Sequence, residues 1–199
     1  MYTMKRLVVT LCVVAGFQLT ATAQDKAPAS PIQLTLIAKK DKYKFDGGGK
    51  TPAEYKKYLE QLVEQSKQGQ LVQPPQPPAV DLVLELKNTS DRDVVIYVGG
   101  DPNVYTFELT GGAGSVAMSS GLAFTADFRL PKAVTLGPGK THEIPIKQLS
   151  DGSRGASRYV YWTGPGEYKI SVKYTLSDSE GGRGPELKSE PVKITVTEK

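Results

Sequence analysis

The stretch Val80-Asp81-Leu82-Val83-Leu84-Glu85-Leu86-Lys87 decides how this chain folds. Val80, Leu82, Leu84 and Leu86 alternate with Asp81, Val83, Glu85 and Lys87. Successive side chains of an extended chain point to opposite faces, so the pattern predicts a half-buried β-strand. Downstream, Asn88-Thr89-Ser90-Asp91-Arg92 reads as a turn and residues 94–98 as the partner strand. Gly99-Gly100-Asp101-Pro102-Asn103 turns into a strand over 104–109. Gly111, Gly112 and Gly114 interrupt, and 122–130 reads as a further strand. In Leu136-Gly137-Pro138-Gly139 the Pro and Gly fall at type II turn positions. Pro145, which has no N–H to give a neighbour, marks the short Glu143-Ile144-Pro145-Ile146 as an edge strand. Beyond the turn Gly164-Pro165-Gly166, Tyr168, Ile170, Val172 and Tyr174 alternate strictly; Val192, Ile194 and Val196 form the last strand. Short strands separated by turn signals predict a mostly β, antiparallel β-sandwich.

Upstream, Ile32, Leu34 and Leu36 alternate with polar residues and read as a first strand, broken by Asp46-Gly47-Gly48-Gly49-Lys50. One helical insertion follows that strand, over 51–69. Thr51 is an N-cap, Pro52 takes the first helical position and Glu54 completes a capping box. Tyr55, Tyr58, Leu59, Leu62 and Val63 share one face. That face must bury against an open sheet edge of the same domain or against a partner protein. Gly69 ends the helix, and Pro74-Pro75-Gln76-Pro77-Pro78 makes residues 70–79 a stiff, extended spacer. Peptide ligands of aromatic grooves have this composition as well.

The N-terminus reads as an export signal. Lys5 and Arg6 precede an apolar run, Leu7 to Phe17, and Ala21-Thr22-Ala23 offers a small-x-small cleavage site. The run is shorter than the ~20 residues a bilayer span needs. The expected product starts at Gln24, lies in the periplasm or outside the cell, and is a single domain over 24–199. Cys12, the only cysteine, follows Leu11 inside the apolar run, so it reads as filler that is discarded and not as a lipid-attachment site.

Composition excludes much chemistry. The chain has 199 residues, with one His, one Cys, 20 Gly and 14 Pro. A disulfide scaffold and a Cys/His zinc site cannot be built. The formal charge of +4 falls to +2 without Lys5 and Arg6, and no basic block interleaves with aromatics, so nucleic acid is not an expected partner.

Two resemblances follow from particular residues. Gly166-Glu167-Tyr168-Lys169-Ile170 resembles the start of strand F in immunoglobulin-like domains. Tyr168 would be the tyrosine-corner residue, and Ile170 stands where antibody domains carry their second Cys. Ser189-Glu190-Pro191-Val192-Lys193-Ile194-Thr195-Val196 resembles the closing strand of bacterial extracytoplasmic immunoglobulin-like domains. Residues 80–146 are similar to the intracellular proteinase inhibitor (BsuPI-like) family through Asn88-Thr89-Ser90-Asp91, Tyr105-Thr106-Phe107 and Pro138-Gly139. The first implies an Ig-like sandwich. The second implies stoichiometric inhibition through an exposed loop, 99–103 or 111–115.

Several motifs mimic sites. Gly137-Pro138-Gly139-Lys140-Thr141 ends like a phosphate loop, but Val134 replaces the leading Gly and a strand follows. His142 has Glu143 beside it and no nucleophile motif, and reads as a surface residue. Residues 41–47 lack the alternating acids of a calcium loop, and Asp178-Ser179-Glu180-Gly181-Gly182 reads as a hairpin loop. Trp162 with Tyr159 and Tyr161 is read as sheet packing, the alternative being a stacking platform for sugar or peptide. No catalytic, cofactor-binding or metal residue emerges, no cofactor is implied, and the binding residues stay unassigned. The expectation is a non-catalytic structural or protein-interaction module of the cell envelope, with another envelope or secreted protein as partner. The alternatives are a proteinase-inhibitor-like binder and a carbohydrate- or peptide-binding accessory domain.

Overall fold

The computed structural model describes residues 30–101, 104–119, 127–153 and 156–199. The expected export signal, residues 1–23, lies outside them. Alternation places the strands where hydrophobic side chains can share one face. The first sheet holds β1 (Ile32–Ala38), β3 (Ala79–Asn88) and β8 (Thr141–Gln148), in the order β1-β3-β8. Leu34 pairs with Leu86 and Leu36 with Leu84; across β3, Leu82 faces Ile146. β8 is an edge strand, as Pro145 requires.

The second sheet is organised by β11 (Gly166–Ser177), whose Tyr168, Ile170, Val172 and Tyr174 are buried. β5 (Val104–Gly111) pairs along one side of it and gives way to β4 (Val94–Val98) at Ser177. The other side takes β13 (Val192–Thr197) and then β12 (Arg183–Lys188). β7 (Lys132–Leu136) closes one edge beyond β4. β2 (Lys42–Lys44) closes the other, parallel to β13. β1 lies against β11, β12 and β13, so the apolar faces of the two sheets meet in one continuous cluster and form a β-sandwich. A third, smaller sheet, β6 (Ser115–Ser119), β10 (Ala156–Trp162) and β9 (Ser150–Ser153), leans on β5.

Four expectations need correction. Residues 94–98 form a strand, but it is not the partner of β3; it crosses to the second sheet. Asn88 is the cause. Its buried side chain donates to the carbonyls of Arg92 (2.7 Å) and Leu136 (2.8 Å) and accepts from Ser90 N (2.9 Å), so the turn is folded into the sandwich instead of into a hairpin. Of the expected 122–130 strand, 122–126 lie outside the described residues and 127–130 are not in a strand. β2, too short to show a period, intervenes between the first strand and the helix. Leu136-Gly137-Pro138-Gly139 does turn, with Lys140 N donating to Gly137 O and Gly139 at φ +70°, but it joins β7, which was not foreseen, to a β8 twice the expected length.

Tyr168 makes the corner contact that the strand F resemblance implies. Its hydroxyl donates to Gly164 O at 2.7 Å and accepts from Ala113 N at 3.2 Å. Gly112 packs so closely that a Cβ there would sit 2.3 Å from the Tyr168 ring.

Helix α1 (Pro52–Lys67) has the predicted capping box. At its other end Gly69 N donates to Ser66 O and Gln70 N to Gln65 O, the paired bonds of a Schellman stop. Leu59 is fully buried, Tyr55 nearly so, and Tyr58, Leu62 and Val63 pack on the same cluster. The helix lies against β6, the edge strand of the small sheet. It therefore covers an edge of its own fold.

Candidate functional site

Four pieces of chain meet beside that helix and leave a cavity of about 660 Å³ between them. They are β2 with the glycine loop after it, α1, the proline strap ahead of β3, and the end of β10. β2 contributes Tyr43, whose side chain turns inward between two exposed lysines. Its hydroxyl donates to Lys40 O (2.7 Å) and accepts from Asp81 N (3.1 Å), which ties β2 to the start of β3. Its ring lies 5.5 Å from Trp162, which in turn lies 6.4 Å from Tyr168. The strap is held by Tyr161, whose hydroxyl donates to Pro75 O at 2.6 Å, and Pro77 is buried beneath it. Proline fixes φ and cannot continue the helix, so the chain leaves α1 as an extended wall. Phe45 meets Tyr55 edge-on at 5.5 Å, and Tyr55 leads to Tyr58 at 6.4 Å.

The cavity is basic. The ammonium of Lys40 lies 5.3 Å from the centre of the Tyr43 ring and that of Lys50 lies 4.9 Å from the centre of Tyr58. Lys44 donates to the Glu198 backbone carbonyl at 2.9 Å. Among the described residues no carboxylate lies within ion-pair distance of Lys40, Lys44 or Lys50. Asp46, the acid of the lining, is taken by Lys199 at 2.7 Å, which holds its carboxyl below the ordinary carboxylate range. Asp81 is taken by Lys147.

Tyr55 is nine-tenths buried, but its hydroxyl stays within reach of solvent: among the described residues no sealed side-chain oxygen lacks a hydrogen-bond partner. Burial, then the neighbouring Tyr58 and Asp46, push its phenol above the usual value. It is held as a neutral O–H at the cavity wall.

The sequence found part of this. Tyr55 and Tyr58 belong to the apolar face of the helix and the prolines to the segment after it, and together they build a cavity. Tyr43 and the three lysines were not singled out, because they sit on three short segments with no shared motif. Trp162 packs between Tyr43 and Tyr168, only 4% exposed, as expected for sheet packing, and borders the cavity without offering an open face for stacking.

The other candidates do not converge. His142 and Glu143 lie on β8 beside a separate cleft of about 700 Å³ between β8 and the β4–β7 pair, lined by Val98, Val134, Ile144 and Pro145. Asp178 accepts from Glu180 N and Gly182 N and so closes its own turn. The residues after Gly139 extend into β8, so no helix N-terminus faces the Gly137–Thr141 turn. Among the described residues no three His, Cys, Asp or Glu side chains gather into a metal-sized group.

One buried charge was missed. Asp151 has a fully buried carboxylate that takes two donors from Arg158 (2.9 and 2.6 Å) and Phe107 N (2.6 Å). Arg158 returns a bond to Phe107 O at 2.9 Å. The pair pins the β9–β10 hairpin to β5 and is structural. An Asp-Gly-Ser run carries no hydrophobic period that could have announced it.

The class defined by fold and site is therefore a β-sandwich with a basic, tyrosine-lined groove. No protein-family model matches the chain, the proteinase-inhibitor family included, and no curated protein matches it. Among solved structures, it is similar to native alpha-2-macroglobulin from Escherichia coli, in a crystal structure spanning domain MG7 to the C-terminus. The identity is 14% and the TM-score 0.27; the alignment covers 62% of this chain and 16% of that one. A likeness of that size carries no functional argument. Among the described residues no helix is long and apolar enough to cross a membrane.

Proposed function

We propose that this chain is an exported, non-catalytic, Ig-like binding module of the cell envelope that holds its ligand in the groove between β2, α1 and the proline strap. The observation that carries the reading is the groove's charge. Lys40, Lys44 and Lys50 crowd one concavity without a carboxylate partner among the described residues, while the nearby Asp46 is already paired. A concavity bordered mainly by one sign of charge attracts a ligand of the opposite sign. The volume lies within the range of small-ligand sites. Export is supported by the Lys5-Arg6, apolar-run and Ala21-Thr22-Ala23 pattern.

The inhibitor alternative has less support. Of its two candidate loops, 111–115 is engaged in the fold: Ala113 N donates to Tyr168, and Thr163 Oγ1 donates to the carbonyls of Ala113 and Gly114. An inhibitory loop must fit its conformation to its target, and this one, though exposed, is pinned to the fold by those bonds.

Equilibrium binding of the native protein to a panel of oligosaccharides and peptides, repeated on Lys50→Gln, tests the site. Binding that is weakened or lost in Lys50→Gln while its melting temperature holds supports the reading. A ligand bound equally by both proteins places the site elsewhere. Intact mass spectrometry of the native protein tests export: a chain beginning at Gln24 is expected, and a retained 1–23 refutes it.

A further inference from the structure

We propose that this protein binds further copies of itself head to tail, the outer face of the first sheet of one copy docking on the outer face of the second sheet of the next. The contact lies outside the groove. Leu84 and Leu86 turn into the core, so Glu85 between them projects outward, and the ladder sets it directly opposite Glu143 of β8. In the second sheet Tyr168 and Ile170 turn inward, so Lys169 projects outward, directly opposite Lys193 of β13. Like charges facing one another across a ladder are destabilising. A third such pair shows how the chain removes that cost within itself: Lys173 faces Lys188, and Glu108 bridges the two at 2.7 and 3.2 Å. The first two pairs have no bridge. Among the described residues no cation lies within ion-pair distance of Glu85 or Glu143, and no carboxylate lies within that distance of Lys169 or Lys193.

One unbridged pair is acidic and the other basic. Both are cross-strand neighbours, with Cβ atoms about 4.5–5.5 Å apart, so their spacing matches. Each extends into a row with a threonine on a third strand: Thr35-Glu85-Glu143 across β1, β3 and β8, and Thr110-Lys169-Lys193 across β5, β11 and β13. The charge beside each pair also reverses, Lys87 standing two residues after Glu85 and Glu167 two before Lys169. Lys169, Lys193, Glu167 and Thr110 border a hollow of about 260 Å³. What selects a second copy is that this chain itself carries the row of opposite sign at the matching spacing. The rows lie on opposite outer faces of the sandwich, so one molecule cannot join them and two can. Because the two surfaces differ, each contact leaves one of each free, and the association runs on as an open chain instead of closing at a dimer.

Sedimentation equilibrium of the native protein tests this. At about 20 mM salt the weight-average mass should at least about double between about 10 µM and about 1 mM protein, and should return to that of the monomer at about 500 mM salt. Glu85→Lys with Glu143→Lys makes both faces basic, and Lys169→Glu with Lys193→Glu makes both acidic. Each double variant should stay monomeric at the native melting temperature, and their equimolar mixture at low salt should associate again. Native protein that is monomeric throughout overturns the proposal, as does association that survives either charge reversal or stops at a dimer. A mixture that stays monomeric overturns the pairing of the two rows. Native protein that stays monomeric yet binds oligoglutamate through Lys169 and Lys193 gives that face to an acidic partner and overturns the contact between copies.

Discussion

Tyr168 and Tyr55 are both tyrosines at a junction of elements, both packed on other rings, and both at least nine-tenths buried. The chain completes the first. The Tyr168 hydroxyl has a carbonyl to donate to and an amide to accept from, and Gly112 is shaped around its ring. The second is held by its ring alone: Tyr55 packs on Phe45 and Tyr58, and its hydroxyl is left to solvent at the groove. A hydroxyl that water reaches carries no burial penalty, whereas one that bridges two backbone groups strands both when it is removed, at a cost on the order of 1–3 kcal/mol. The two tyrosines therefore differ in what their oxygens contribute to stability.

The comparison can be broken most heavily at the helix. Leu59→Ala with Leu62→Ala should remove roughly 4 kcal/mol or more of stability, because both side chains pack on the core and one is fully buried. Chemical denaturation of the isolated monomer measures it. A normal midpoint would mean that α1 is not needed to cover β6.

Alkali should act next. Burial pushes Tyr174 up to about 12 and also raises Tyr168, Tyr161 and Tyr55. A phenol whose folded value lies above its unfolded value of 10 contributes stability that is complete below pH 10 and is lost as pH rises through the folded value. For Tyr174 that loss is about 2–3 kcal/mol across pH 10–12. Phenolate absorbance should appear together with unfolding, and a smooth titration at pH 10 without unfolding would contradict the buried phenols.

Tyr168→Phe should cost about 1–3 kcal/mol, since it strands Gly164 O and Ala113 N, and should leave the groove's affinity unchanged. The smallest effects on stability belong to the groove. Lys50→Gln touches an exposed side chain and should shift stability by no more than about 0.5 kcal/mol while weakening binding.

Much of the sandwich was legible because β3 and β11 carry long alternation whose apolar side faces a single core. Pairing was less legible than strand existence. Period tells which face is buried but not which strand is the neighbour, and the crossing from β3 to β4 depends on what one side chain, Asn88, bonds to. β2, β6, β7, β9, β10 and β12 were missed because three to seven residues without clean alternation give too few repeats to separate a strand from a loop. The groove was legible only as pieces. Its helix face and prolines each had a sufficient structural explanation, and the cavity exists only because β2, invisible as a strand, brings Tyr43 and its flanking lysines beside them.

The most direct test of the division between Tyr168 and Tyr55 compares the melting temperatures of the native protein, Tyr55→Phe and Tyr168→Phe. Tyr55→Phe should melt like the native protein, because its hydroxyl faces solvent, whereas Tyr168→Phe should melt lower, because Gly164 O and Ala113 N lose their partner. A Tyr55→Phe protein that melts as low as Tyr168→Phe would contradict the account.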